Sequence, residues 1–430
     1  MDSNLATGDY TGAALLNLQG IIVKIPVQIR IYDVQMPEQV HAKSAFEIWY
    51  DYIDEGEGTG SLSMDEAYYN FLVSKRVMPT SVSDNVSTDV DTYVNYVAKN
   101  LSGNAKISAY NLPYSTVSVD GIKHLDADRL TILLTAMIQK NIALRQAGDT
   151  SADLFEKAYF YFGSICDEPR PFNEERTDEE LVLECDAILE ETKNALAGLL
   201  TDYPDLQTSF MAIPHIVTAY RYDAIDNGKH TYCPRLDDFK KADYVGENVW
   251  WYGCLDPETP YPTYHLNDEL ITSRVMSWMQ YDYNVGGNLY WCVNYYYDRL
   301  EDGTLVVRDV WNDPAPLSGQ PGDGYLLYPG KDYGVYGPIG TMRMESIREG
   351  NEDYEYFWLF RENIETYNQK NGTAYDADTL LQSFFDGLYS GMYPATDSAA
   401  FANQRIRLLT VLEHMNTDLD AAVGSLISGG

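Results

Sequence analysis

The sequence is poor in basic residues: 30 Lys and Arg stand against 65 Asp and Glu in 430 residues, which gives a formal charge of −35. A surface this acidic repels phosphate groups, so nucleic acid and anionic membranes are not expected as partners. The sequence also lacks any apolar run close to the roughly 20 residues that cross a bilayer. We therefore predict a soluble globular protein without a membrane span.

Residues that hold metals and cofactors are also scarce. The five cysteines are scattered, with no Cys-x-x-Cys pair and no nearby His at zinc-ligand spacing. The six histidines fall singly, so neither a His-rich metal site nor a Ser-His-Asp triad is indicated. There is no Gly-x-Gly-x-x-Gly after a strand and no phosphate-binding loop. We predict no metal and no cofactor.

The first residues lack the basic and apolar regions of a signal peptide. We expect a secreted or cell-surface protein whose signal segment precedes this sequence, with a cytoplasmic location as the alternative. The oligomeric state is not predicted.

Apolar runs alternate with amphipathic stretches along most of the chain, the order that indicates a parallel sheet or barrel. Strands are predicted at 43–50, 75–80, 105–111, 158–166, 206–213, 247–252, 287–292 and 324–328. Helices are predicted at 63–74, 87–100, 126–147, 177–200, 267–283, 343–362, 376–390 and 399–422. About eight βα units favour an α/β fold of the (β/α)8 TIM-barrel type.

The ends of the chain do not follow this alternation. Residues 13–18 and 21–32 are predicted as two short strands with no helix between them, as at the end of a β-sandwich. We predict three parts: the C-terminal part of a β-sandwich-like domain at 1–40, a (β/α)8 barrel at 41–362, and a C-terminal helical segment at 363–430.

The stretch 158–169 is the most informative part of the sequence. An aromatic, apolar strand leads directly into two adjacent carboxylates, Asp167 and Glu168, followed by Pro169. Strand ends are where α/β enzymes hold their chemistry, and Pro169 ends the regular strand so that both carboxylates can face one pocket. The alternative is a charged loop that opens the helix at 177–200.

Aromatic residues are abundant, with 36 tyrosines, and they crowd near the predicted strand ends between 250 and 336. This group comprises Trp250, Tyr252, Tyr261, Tyr264, Tyr290, Trp291, Tyr295, Tyr296, Tyr297, Trp311, Tyr325 and Tyr328. Pyranose rings stack on such side chains, while phenol and indole groups bond the hydroxyls. Together with the paired carboxylates they indicate glycoside hydrolysis, although many of them can be ordinary core packing.

Several motifs, in their order and spacing, resemble those of the glycoside hydrolase family 123 catalytic domain. They are Trp250-Trp-Tyr-Gly-Cys, Tyr261-Pro, Arg274 with Trp278, Gly287-Asn-Leu-Tyr-Trp with Asn294, Gly322-Asp-Gly-Tyr-Leu-Leu-Tyr-Pro-Gly, and Arg343-Met-Glu-Ser-Ile-Arg-Glu-Gly-Asn-Glu-Asp-Tyr-Glu-Tyr. The resemblance covers residues 13 to about 362. The best known members of this family are β-N-acetylgalactosaminidases.

The resemblance implies a retaining, substrate-assisted mechanism on a terminal β-linked N-acetylhexosamine, with GalNAc as the expected sugar. The acetamido oxygen of the substrate attacks its own anomeric carbon. By this resemblance Asp167 holds the acetamido N–H and Glu168 protonates the leaving oxygen. No nucleophile from the enzyme is then needed.

Candidate substrate-binding residues follow from their places on the predicted strands. Trp250 and Tyr252 are two residues apart and share one face of a strand. Trp291 and Asn294 follow the next strand, Tyr328 ends the last one, and Arg343 opens a helix. The candidate substrate-binding set is Trp250, Tyr252, Trp291, Asn294, Tyr328 and Arg343.

Two other functions stay open at this point. The chain can be a non-catalytic carbohydrate-binding barrel protein, or a glycosidase for a sugar without an acetamido group, in which one carboxylate would be a nucleophile. The presence of both Asp167 and Glu168 favours the enzyme, because a binding protein does not need an adjacent acid.

Overall fold

A computed structural model describes residues 5–169, 178–300, 302, 304–313, 315 and 320–428. The fold is mixed α/β. Its strands are β1 Gly8–Leu18, β2 Ile21–Ile31, β3 Ser44–Phe46, β4 Tyr110–Asn111, β5 Thr116–Val119, β6 Ile122–Leu125, β7 Ala158–Tyr161, β8 His215–Val217, β9 Thr231–Tyr232, β10 Trp250–Gly253, β11 Gly287–Tyr290, β12 Tyr297–Arg299, β13 Leu305–Val307, β14 Leu327–Tyr328, β15 Ile339–Gly340, β16 Tyr389–Ser390 and β17 Tyr393–Pro394.

Helices lie between several of these strands and follow the last one. They are α1 Tyr50–Glu57, α2 Leu62–Ser74, α3 Asp84–Ser87, α4 Val90–Tyr96, α5 Ala127–Gln146, α6 Gly163–Cys166, α7 Asp178–Leu196, α8 Pro204–Met211, α9 Leu270–Asp282, α10 Met342–Asn371, α11 Ala377–Phe385, α12 Ser398–Thr417 and α13 Leu419–Ser428. A π-helical turn covers Val97–Leu101, and 3-10 turns cover Ala197–Leu200, Lys241–Tyr244 and Lys331–Tyr333. Within the described ranges, no helix combines the length and apolar character that crossing a membrane requires.

The described residues form two compact units, one from the ranges 1–37, 355–388 and 397–430, the other from 38–354 and 389–396. In the first unit, β1 and β2 form an antiparallel hairpin with Leu18 opposite Ile21. The two turn residues, Gln19 and Gly20, both have positive φ, the geometry that matches the twist of a tight hairpin. The two predicted strands are therefore confirmed, while their assignment to a β-sandwich and the three-part division stay predictions.

The second unit is built on short parallel strands. One sheet has the order β10-β11-β3 and another has the order β4-β7-β8-β9. Residues within these strands or directly next to them form one buried cluster. Its members are Ala45, Ala109, Tyr159, Ile216, Cys233, Trp250, Tyr252 and Leu289. Trp250 and Tyr252 belong to it together, as the alternation of side chains along β10 requires.

The predicted strand at 206–213 is wrong, because that stretch is the helix α8. Pro204 stands at its first turn, where its fixed φ suits a helix and its missing N–H costs nothing. Leu206 and Phe210, four residues apart, are the buried side chains of the helix. The strand of this region lies further along, at β8, and all three of its residues are buried.

Candidate active site

The two adjacent carboxyl residues lie beyond the end of β7. The strand was predicted to reach 166, but it ends at Tyr161, and the four-residue helix α6 follows before Asp167. The backbone therefore leaves the sheet earlier than Pro169 alone would require. Asp167 is extended, with φ −74° and ψ 136°.

Glu168 has a backbone conformation that glutamate rarely adopts. Its φ is +43°, in the left-handed region, and the next residue is Pro169, which further restricts it. Such a conformation costs on the order of 1–3 kcal/mol and persists where the surrounding contacts enforce it, most often at functional sites.

Asp167 is held by two hydroxyl groups. The phenol of Tyr161 and the hydroxyl of Thr218 each donate a hydrogen bond to Asp167 Oδ1, both at 2.7 Å. The side chain is accessible to solvent, yet the protein atoms around its carboxyl exclude enough water to raise its pKa above the usual range, while the two hydroxyl bonds act in the opposite direction. Asp167 is therefore oriented by its neighbours and remains accessible.

Glu168 is held by Thr218 and Tyr252. Its backbone N–H donates to Thr218 Oγ1 at 2.9 Å, and the Tyr252 phenol donates to Glu168 Oε1 at 2.5 Å. Burial, followed by the nearby Glu168 carboxylate, raises the pKa of Tyr252 well above its ordinary value. The phenol thus keeps its proton and acts as a fixed donor. The structure brings Tyr252, a predicted site residue, into contact with the predicted pair.

Two cavities meet these residues. Asp167 lines a cleft of about 550 Å³, called here the Asp167 cleft, whose walls include Trp49, Tyr161 and Trp291. Glu168 lines a pocket of about 360 Å³, called here the Glu168 pocket. The wall of that pocket includes Pro169, Tyr220, Tyr222, Arg235 and Tyr252. The adjacent carboxyl residues therefore face two neighbouring spaces, each with aromatic walls.

Trp291 is fixed in the wall of the Asp167 cleft. Its indole N–H lies 2.9 Å from Oδ1 and 3.0 Å from Oδ2 of Asp323, a fully buried carboxylate that also accepts the Tyr290 phenol at 3.0 Å. The indole ring makes an edge contact with Trp49, with ring centroids 5.9 Å apart. A pre-positioned, half-buried aromatic plane is the kind of surface on which a sugar ring stacks.

Trp250 and Arg343, two other predicted site residues, are part of the packed interior. Trp250 is 2% exposed and its ring contacts that of Tyr159 at 5.2 Å. Arg343 is buried, and its guanidinium donates to the backbone carbonyls of Tyr264, Gly322 and Tyr325. Neither residue lines either cavity.

Asn294 and Tyr328 also lie outside both cavity walls. The Asn294 amide is fully buried and pairs with the backbone of Trp49, donating to its carbonyl at 2.9 Å and accepting its N–H at 3.0 Å. Tyr328 stacks on the exposed ring of Trp311, with centroids 4.4 Å apart and planes at 19°. Asn294 therefore supports a wall residue of the Asp167 cleft.

Four site residues were not predicted: Tyr161, Thr218, Trp49 and Asp323. Tyr161 lies inside the strand predicted at 158–166, and only the structure shows that it is the last residue of β7. Thr218 directly follows β8, so the misplaced strand at 206–213 hid it. Asp323 belongs to the Gly322-Asp-Gly motif, but its contact with Trp291 joins residues 32 positions apart, and local sequence pattern does not predict such a contact.

In the part of the chain that the structure describes, no group of three or more His, Cys, Asp or Glu side chains is arranged to hold a metal ion.

Comparison with known proteins gives a family match. Residues 151–360 match the family model described as glycoside hydrolase 123, catalytic domain. No curated protein sequence matches the chain.

Among solved structures, the chain resembles a family 123 glycoside hydrolase from Clostridium perfringens, whose structure bears on glycolipid glycan hydrolysis. The two share 13% identity over 99% of this chain and 78% of that chain, with a TM-score of 0.56. At this identity the likeness concerns the fold. A β-glucuronidase from Parabacteroides merdae overlaps 66% of this chain and 36% of its own at 9% identity, and its TM-score of 0.26 supports no argument.

The family match includes β7, Asp167, Glu168, Tyr252 and Trp291. It confirms the resemblance that the sequence motifs indicated: residues 151–360 are a glycoside hydrolase family 123 catalytic domain.

Proposed function

We propose that this protein is a retaining exo-glycoside hydrolase that releases a terminal β-linked N-acetylhexosamine, with GalNAc as the preferred sugar, by substrate-assisted catalysis. The observation that carries the proposal is the placement of Asp167 and Glu168: the two residues are adjacent, each is held by hydrogen bonds, and they face the Asp167 cleft and the Glu168 pocket. Glycans of glycolipids or other glycoconjugates are the proposed substrate class.

We further propose that the catalytic unit is a (β/α)8 barrel. Isolated parallel bridges extend the parallel sheets: Phe46 of β3 pairs with Pro79, and Tyr252 of β10 pairs with Arg235, which lies shortly after β9. Asn111 also donates its N–H to the carbonyl of Thr80 at 3.2 Å. The pairings can thus be followed from β3 through 79–80, β4, β7, β8, β9, β10 and β11 back to β3. In such a barrel the carboxyl ends of the strands form the active site.

In the proposed first step, the acetamido oxygen forms a bond to the anomeric carbon while the glycosidic C–O bond breaks. Glu168 transfers its proton to the leaving oxygen, and Asp167 accepts the acetamido N–H as positive charge develops on that group. Because both protein hydroxyls bond Oδ1 of Asp167, we assign the substrate N–H to Oδ2.

In the second step, water attacks the anomeric carbon and gives its proton to the Glu168 carboxylate, while the bond to the acetamido oxygen breaks. Two inversions give net retention, and the 2-acetamido group and both carboxyl residues return to their starting states. The sugar is proposed to occupy the Asp167 cleft against Trp291, with the leaving group in the Glu168 pocket beside Tyr252. Asn294 and Arg343 are proposed to support the walls of these two cavities, and Trp250 is proposed to pack beneath the walls. Tyr328 is proposed to contribute through the stacked pair that it forms with Trp311.

The experiment is a screen of purified protein against aryl β-glycosides of GalNAc, GlcNAc, galactose and glucose, with Asp167→Asn as the control for contaminating activity. We expect turnover of the GalNAc glycoside, less of the GlcNAc glycoside, and none of the two sugars without an acetamido group. Proton NMR of the first product should show the β-anomer. Sugar binding without turnover would support a non-catalytic barrel, and turnover of galactosides would exclude substrate assistance.

A further inference from the structure

A third carboxyl residue, Glu47, reaches the Asp167 cleft from another strand. It directly follows β3, its backbone N–H donates to the carbonyl of Tyr290 at 2.9 Å, and its own carbonyl accepts the N–H of Val293 at 3.0 Å. These bonds tie its backbone to the segment that carries Trp291. Glu47 is therefore on a rigid support, at the same kind of strand end as the residues of the proposed reaction.

The protein offers the Glu47 carboxyl few groups that would replace the water lost on its burial. The Ser81 hydroxyl donates to Oε1 at 3.3 Å, and no ion pair with Lys, Arg or His joins this residue within the described ranges. Burying a carboxylate without a cation is unfavourable, because the protein replaces only part of its hydration. Burial raises the pKa of Glu47 to about 7, and the hydroxyls of Thr80 and Ser81 lower it by less. An uncompensated acid in a cleft is a candidate for function rather than for stability.

The neighbouring titratable groups do not offer Glu47 a positive charge. They are Tyr50, Tyr114, Tyr159, Tyr161 and Cys292, with Asp84 and Asp167 as the other acids of the cleft wall. Burial raises the pKa of each of the four tyrosines and of the thiol, so these groups are neutral near pH 7.

We propose that Glu47 is a specificity-determining residue whose carboxylate accepts hydrogen bonds from hydroxyl groups of the sugar ring in the Asp167 cleft. The proposal rests on the proposed function, since it places the terminal sugar in this cleft. A carboxylate offers two acceptor oxygens and no donor, which suits two neighbouring ring hydroxyls. A site that hydrogen-bonds a substrate hydroxyl strongly rejects an analogue without it, because the protein group is then left unpaired.

The test compares wild type and Glu47→Gln in binding GalNAc and its 3-, 4- and 6-deoxy analogues by calorimetry at pH 8.5. We expect Glu47→Gln to bind GalNAc at least tenfold more weakly. At least one deoxy sugar should bind to both proteins with the same affinity, because the hydroxyl that reports on Glu47 is missing. Asp84→Asn, which removes another charge from the same wall, is the matched control and should change affinity less than threefold. Melting temperatures establish that both variants are folded.

A second measurement needs only the wild type. The affinity lost on removing the critical hydroxyl should be several-fold larger at pH 8.5 than at pH 5.5, because only the ionised carboxyl is a full acceptor. Equal GalNAc affinity of wild type and Glu47→Gln, or deoxy penalties independent of pH, would overturn the proposal while leaving the proposed function intact. A covalent adduct on Glu47 with a fluorosugar would make it a nucleophile and overturn both. A wild type that binds none of these sugars would also overturn both.

Discussion

Thr218 and Asp167 are joined by a 2.7 Å hydrogen bond, and the same Thr218 hydroxyl accepts the backbone N–H of Glu168 at 2.9 Å. One oxygen atom thus fixes the carboxyl group of one residue and the backbone of the next. The two carboxyl residues have separate roles in the proposed reaction. Thr218 sets the geometry of both.

Thr218→Val removes this oxygen with little change in volume. We expect turnover to fall by about 10-fold to 100-fold, the scale of a small misplacement of reacting groups, with a modest loss of stability from the unpaired N–H. Thr218→Ser is the matched control and should keep most of the activity. The measurements are kcat and melting temperature. Equal losses in both variants would assign Thr218 to packing.

Glu168→Gln removes the proposed proton donor while leaving the side-chain volume almost unchanged. Natural glycans, which have poor leaving groups, should lose the most activity, and aryl glycosides with acidic leaving groups should be affected much less. The measurement is kcat/KM across a series of leaving groups. Equal losses on both substrate types would show that Glu168 is not the acid.

Asp167→Asn replaces the group proposed to hold the acetamido N–H. Turnover should fall by about 10² or more, as for the loss of a positioned electrostatic group, and the fold should be kept. A thiazoline mimic of the cyclised intermediate should inhibit the wild type. If this mimic has no effect while a fluorosugar traps a covalent adduct, substrate assistance is wrong.

Trp291 and Trp250 form a matched pair for separating binding from packing. Trp291 lines the Asp167 cleft, whereas Trp250 is 2% exposed in the core cluster. Trp291→Ala should weaken sugar binding by about 1–3 kcal/mol with a modest fall in stability, and Trp250→Ala should cost about 3–5 kcal/mol of stability. Affinity and melting temperature are measured for both. A similar loss of melting temperature in the two variants, with sugar affinity kept in Trp291→Ala, would place Trp291 in the core.

The raised pKa of Glu47 predicts that the stability of the protein depends on pH. Burial raises its pKa from 4.5 to about 7, so the folded state binds the proton more tightly than the unfolded state does. The resulting stabilisation is complete below about pH 4.5 and is lost as the pH rises through 7. Glu47→Gln lacks this loss. Relative to wild type, the variant should gain about 1–3 kcal/mol between pH 4.5 and 8, measured by denaturant unfolding. A constant difference across that range would contradict the raised pKa.

Parts of the site that depend on local pattern were predictable from the sequence. The apolar stretch before Asp167 and Glu168 predicted their place beyond a strand, and the two-residue spacing placed Trp250 and Tyr252 on one face of β10. The alternation of side chains along a strand does not predict how deeply each side chain is buried. Trp250 and Tyr252 share a face, yet only Tyr252 reaches the Glu168 pocket.

Other parts depend on contacts between distant segments. Whether Arg343 meets a ligand or three backbone carbonyls is decided by the loops around it, and the sequence gives no signal for these contacts. The prediction of a strand at 206–213 is wrong because short apolar runs fit a strand or a helix equally well. Pro204 indicates the start of a helix at this point.

Glycine and asparagine adopt the left-handed backbone of residue 168 with less strain than glutamate does. In laboratory evolution, a screen for heat resistance alone would therefore favour variants in which Glu168 is replaced by a residue that adopts this backbone conformation with less strain. The most thermostable variants would then include some that no longer turn over substrate. Thermostable forms useful for glycan processing must accordingly be sought with activity as a simultaneous requirement at every round.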